Sequence, residues 1–150
     1  MAIAMVDVLE ALSPDEPDYA RARKLGPAAV PFLQQIMMQS DQLMAAKAVY
    51  LAGLIGTDAG AQVVAHGASS ANPAVRVAAA AAATELSQDR AAVILETLLG
   101  DADGGVRYRA LKSTAKHLNP TLRVRITEMA EREPNRRTRE EARTLLGLRP

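Results

Sequence analysis

Apolar positions along the chain fall in blocks at helical spacing. Val30, Leu33, Ile36 and Met37 form one block, and Ile94, Leu95, Leu98 and Leu99 another. This i, i+3, i+4 recurrence is that of an amphipathic helix. A second kind of block follows, as in Met44, Ala48, Leu51, Ala52 and Ile55, where small Ala at the centre lets helices approach closely. The second blocks open on Asp41, Asn72, Asp103 and Asn135, residue types whose side chains cap free N–H groups at helix starts. Pro73 follows Asn72 at the first helical position, where Pro is tolerated. Pro27, Asp58, Asp89 and Pro120 mark the start of each first helix.

These blocks repeat. Ala48, Ala79, Ala110 and Ala142 are 31, 31 and 32 residues apart. Three residues before each stand Ala45, Arg76, Arg107 and Arg139, and four before stand Met44, Val75, Val106 and Thr138. Leu33, Val64, Leu95 and Ile126 keep the same beat upstream. A fixed period of this length marks a stacked repeat architecture. The chain is therefore read as one all-α domain, 1–150, of about four helical hairpins at 27–56, 57–87, 88–118 and 119–150. Residues 1–26 fit less well, because Pro14 and Pro17 fall inside the second helix that the period would place there. They are expected to form a degenerate hairpin, roughly 2–12 and 15–25, that caps the stack. The second repeat has the weakest local propensity, with Gly60, Gly67, Ser69 and Ser70 in or beside its first helix. The run Ala78 to Ala83 compensates in its partner.

Composition narrows the function classes. No Trp, one Phe and three Tyr leave little material for a β-sandwich core or a site of stacked aromatics. The absence of Cys excludes disulfides, thiol catalysis and zinc knuckles. No run reaches the ~20 apolar residues of a membrane span, so a cytoplasmic chain without membrane contact is expected. The net charge of +1 hides two unlike parts. Residues 1–100 carry six Lys/Arg against ten Asp/Glu, and residues 101–150 carry twelve against seven. The difference is either a docking surface or the solvated faces of the last helices.

The segments NPAVRVAAAAAATEL, from Asn72, and DADGGVRYRALKSTAKHL, from Asp101, share an Asp/Asn turn, then Val-Arg, then an Ala-rich helix. This pattern resembles HEAT repeats, in particular the short bacterial HEAT-like repeats found in phycobilin lyase subunits, over about residues 27–149. Ala45 in the Arg column and Thr138 in the Val column depart from it. The resemblance implies an α-α superhelix, a right-handed α-solenoid with its second helices on the concave side. It also implies that Asp41, Asn72, Asp103 and Asn135 form a structural ladder with Arg76, Arg107 and Arg139. An Arg fork can reach both a carboxylate and turn carbonyls.

Catalytic chemistry finds no support in the sequence. Gly104-Gly105 lacks the Gly-Lys-Ser/Thr of a phosphate loop. His66 and His117 have no neighbour at ligand spacing, so no metal is expected, nor any cofactor. The acid pairs Asp15/Glu16, Asp101/Asp103 and Glu140/Glu141 read as solvated surface.

What remains is the stripe facing away from the alanine column, two residues before each Ala and one to two after. It holds Tyr50, Val77, Ala81, Tyr108 and Leu111, with Val49 and Ala80 at equivalent places. Arg109, Lys112, Lys116 and Arg143 lie in or beside its C-terminal part. Apolar groups rimmed by charge fit a protein-binding patch. The leading expectation is a non-catalytic scaffold or adaptor that binds a protein partner on the concave face. One alternative is nucleic-acid backbone binding through Arg109, Lys112, Lys116, Arg136, Arg137 and Arg143. Another, implied by the resemblance alone, is a bilin lyase or chaperone-like subunit. Leu145, Leu146 and Leu148 in the last helix leave a monomer or a weak homodimer open.

Overall fold

The computed structural model describes residues 2–148. Among these are ten α-helices and no strand. A terminal hairpin of α1 (Met5–Leu12) and the short α2 (Tyr19–Ala22) is followed by four helix pairs. These are α3 (Val30–Gln39) with α4 (Gln42–Ile55), and α5 (Asp58–Ala68) with α6 (Pro73–Ala83). The last two are α7 (Gln88–Leu99) with α8 (Gly104–Ser113), and α9 (Pro120–Arg132) with α10 (Arg136–Leu145). Pro14 and Pro17 lie in the bend between α1 and α2, and α2 runs on into a 3-10 turn over Arg23–Leu25.

The helix starts are made by the polar column. The side chains of Asp41, Asn72, Asp103 and Asn135 accept from the backbone N–H of Met44, Ala74, Val106 and Thr138, respectively. Each satisfies one donor that the first helical turn leaves free. Asn119 and Thr57 do the same for α9 and α5. Inside the stack, Ala48, Ala79, Ala110 and Ala142 are wholly buried, as are Leu33, Val64, Leu95 and Ile126. The repeat columns of the sequence are thus the core columns of the fold.

Neighbouring pairs stack in two layers, first helices beside first helices and second beside second. α4, α6 and α8 pack more closely on one another than α3, α5 and α7 do. Small residues set the approach of α6 to α4, where a Cβ added at Gly53 would meet Ala82, and of α5 to α4. A Cβ added at Gly60 on α5 would stand 2.5 Å from the Ala52 carbonyl oxygen of α4. At Gly67, two turns on, it would meet the Val49 methyls at 2.8 and 3.0 Å. Two glycines that look like weak points in α5 are what let it lie directly on α4.

Candidate functional site

One exposed face of the second-helix layer is built by α4, α6 and α8, with α2 beside it. An open groove of about 380 Å³ crosses these helices. Tyr19, Leu43, Ala46 and Tyr50 form one end, Val77, Ala78 and Ala81 of α6 the floor, and Arg109 of α8 the other end. Of the nine residues that the sequence places on the concave stripe, Tyr50, Val77, Ala81 and Arg109 are brought together here.

Tyr19 and Tyr50 meet edge to face, with ring centroids 4.8 Å apart, an arrangement worth about 0.5–1.5 kcal/mol beyond area burial. Burial pushes the Tyr19 phenol up from its usual range, and the neighbouring Tyr50 phenol adds to the effect. The terminal hairpin that carries Tyr19 is tied to α4 by Lys47. Its side chain is buried, and its ammonium donates to the carbonyls of Leu12 at 3.2 Å and Pro14 at 2.7 Å. These bonds close the end of α1 and hold the terminal hairpin against α4. Neither Tyr19 nor Lys47 is visible in the repeat pattern. Tyr19 lies where the register fails, and the Lys47 contacts span more than thirty residues.

The remaining stripe residues sit elsewhere. Leu111 is wholly buried and so are Val49 and Ala80. This corrects their reading as surface. One position after the inward alanine is a turn of only about 100°, which aims the side chain at an adjoining helix, as Val49 is aimed at Gly67. Burying a Leu contributes about 1.5–3 kcal/mol, so Leu111 belongs to the core and not to a partner. Tyr108 is half-buried, with the Arg137 guanidinium carbon 4.7 Å from its ring centroid. Lys112 is exposed and lies 3.3 Å from Glu141. Arg136 pairs with Glu140 at 2.9 Å. Lys116 is exposed and Arg143 half-buried. Much of the positive charge of residues 101–150 is therefore engaged within the fold.

The arginine column makes a ladder, but its acids are not the capping residues. Arg76 grips Asp101 with two parallel bonds, Nε to Oδ2 at 2.8 Å and Nη2 to Oδ1 at 3.0 Å, while Nη1 donates to the Ser70 carbonyl at 2.9 Å. Arg107 repeats this with Glu133 at 3.1 and 2.8 Å and with the Asp101 carbonyl at 2.9 Å. Arg139 donates to the carbonyls of Glu133 and Pro134. The acids stand two residues before the caps, since the caps spend an oxygen on their own helix. Asp101, read from the sequence as solvated, has a side chain only 10% exposed. Burial pushes its carboxyl up, but the Arg76 bonds, the Asp103 N–H and the Arg107 charge outweigh this, leaving it below the usual 3.8. The bonds to Asp101 and Glu133 raise the Arg76 and Arg107 guanidinium groups in turn.

The histidines are held apart. His117 is buried and donates from Nε2 to the Thr84 carbonyl at 3.0 Å, tying the end of α8 to the end of α6. His66 lies 3.1 Å from the Gln34 amide nitrogen on the outer surface. Among the described residues no three His, Asp or Glu side chains are grouped to hold a metal ion. Two larger hollows, about 590 Å³ between α1 and α2 and about 650 Å³ between α7 and α9, are lined by charged side chains such as Glu10, Arg21, Glu96 and Arg125. They are open furrows between neighbouring helices. No helix among the described residues is long and apolar enough to cross a membrane.

Residues 29–115, more than half of the chain, match the family model for HEAT repeats, and the chain belongs to that family. Among solved structures it is similar to a chain in the complex of CpcE and CpcF of phycocyanin lyase from Nostoc sp. PCC7120. That likeness has a TM-score of 0.76 at 20% identity and covers 95% of this chain and 98% of the other. It is a likeness of fold. A search of the curated proteins found no match.

Proposed function

We propose that the chain is a non-catalytic interaction module that holds a segment of a partner protein against its concave face. The observation that carries this reading is the groove across α4, α6 and α8. It joins an aromatic end, an alanine-rich floor and an arginine at its far end, the anatomy of an apolar patch with a charged rim. Repetition also supports it, because the capping residues recur in all four pairs and an arginine fork joins each of the two later joints, as a scaffold requires.

The test is affinity purification of the tagged chain from its own host, with and without nuclease, beside an Ala81→Glu variant of the floor. A stoichiometric protein that survives nuclease and is lost with Ala81→Glu is the expected result. Recovery of nuclease-sensitive material alone, or of a partner indifferent to Ala81→Glu, overturns the reading.

The likeness to the complex of CpcE and CpcF favours a second reading, in which the chain serves as one subunit of a lyase-like assembly. Adding bilin to the purified chain with its co-purifying partner tests this. An unchanged visible spectrum overturns it.

A further inference from the structure

We infer that the groove takes an extended segment of a partner protein, with an acidic side chain seated on Arg109 and a large apolar side chain lodged beside Tyr50 and Leu43. The inference rests on the interaction-module reading and adds the chemistry of the partner.

Charge complementarity fixes one end. Two cationic residues line the groove, Lys47 and Arg109. Lys47 is committed to the Leu12 and Pro14 carbonyls. Arg109 is exposed and has no ion pair among the described residues. Lys112, three residues on along α8, is already paired with Glu141 at 3.3 Å, and Lys116 lies in the 3-10 turn beyond the end of α8, so Arg109 is the cation that the groove itself offers. A carboxylate side chain there gains a charge-assisted pair beside an apolar wall, where screening by water is weakest.

Shape fixes the rest. Ala78 and Ala81 leave a floor too shallow to hold large side chains, but one that a bare backbone can approach. Leu43, 60% exposed, and Tyr50 stand with Tyr19 at the other end, where the larger apolar side chains gather. Helices pack about 8–10 Å apart, so α4 to α8 spans about 16–20 Å, the reach of about five or six extended residues at about 3.3 Å each. An α-helix of that many residues would cover about half the distance. The alanine floor presents no donors to phosphates, which sets a protein segment ahead of a nucleic-acid backbone.

The experiment is selection from a random-peptide display library on the full chain, in parallel with Arg109→Glu and Arg109→Gln variants whose helicity is checked by circular dichroism. Enriched peptides are expected to carry Asp or Glu about four or five residues from a large apolar residue. A synthetic copy, followed by fluorescence anisotropy, should lose about tenfold or more in affinity with Arg109→Glu, or when its own acid becomes Ala. Enriched peptides without an acid, or binding indifferent to both Arg109 variants, overturn the inference and leave the interaction-module reading standing. No enrichment on well-folded protein overturns both. Tighter, salt-sensitive binding of a labelled oligothymidylate than of any selected peptide also overturns both.

Discussion

Ala45 and Ser70 occupy, one repeat earlier, the places held by Arg76 and Asp101 at the next joint, and both lack charge. Among the described residues the joint between the first two helix pairs therefore has no ionic rung. In its place, the Asn72 side-chain amide donates to Gln42, and α4 and α6 touch through Gly53 and Ala82. The two later joints each carry a forked arginine on a half-buried or buried acid.

Removing one partner of such a rung should cost more than its exposure suggests. Asp101→Ala leaves the Arg76 fork facing an apolar side chain and is expected to lower stability by about 1–3 kcal/mol. Thermal denaturation should show a fall of several degrees. Adding Arg76→Ala to it should cost less than the sum of the single changes, because the rung is already broken. Strict additivity in that cycle would show that the two residues act independently.

Acid should unfasten the same joint. Asp101 is held below its ordinary 3.8, so its contribution is complete above that value and is lost as pH falls through the lower folded value. Urea midpoints between pH 6 and about 3 should drop more steeply for the natural sequence than for Asp101→Asn. Equal slopes would remove Asp101 from the account.

Glycine tells the joints apart in another way. Gly60→Ala should destabilise by about 1–3 kcal/mol although Ala is the better helix former by about 1 kcal/mol, since the new methyl meets the Ala52 carbonyl. At Gly104, on the first turn of α8, an added Cβ has only ordinary contact at 3.5 Å with Arg107. Gly104→Ala should be neutral or stabilise by up to about 1 kcal/mol. Chemical denaturation of the two variants in one buffer checks both signs.

Lys47→Met is expected to act locally. It leaves the Leu12 and Pro14 carbonyls without their donor at a cost of about 1–3 kcal/mol, and it loosens the terminal hairpin first. Amide hydrogen exchange should speed up over residues 5–25 and stay unchanged in α7 to α10. Uniform acceleration along the chain would contradict the tether.

The fold was legible because a solenoid writes the same line repeatedly, so Ala48, Ala79, Ala110 and Ala142 report one another, and so do the four caps. The ladder was only half legible. Its arginines stay in register, but its acids change type between Asp101 and Glu133, shift by one residue with the longer last repeat and vanish at Ser70. Leu111 falls outside the stripe that its spacing suggests because a helix has no sharp border between faces, and the position beside the inward alanine lies under an adjoining helix. Tyr19 and Lys47 carried no signal at all, since the cap to which they are tied has no counterpart along the chain with which to compare it.

The bonds from Lys47 to Leu12 and Pro14 make the terminal hairpin more than a plug for the end of the stack. Residues 27–118 grafted into another helical array would bring the alanine floor and Arg109 but leave the Tyr19 wall behind. Recognition by this chain is in that sense asymmetric. Its middle repeats supply Leu43, Tyr50 and Arg109, while the piece that looks most eroded adds a wall that no repeat reproduces.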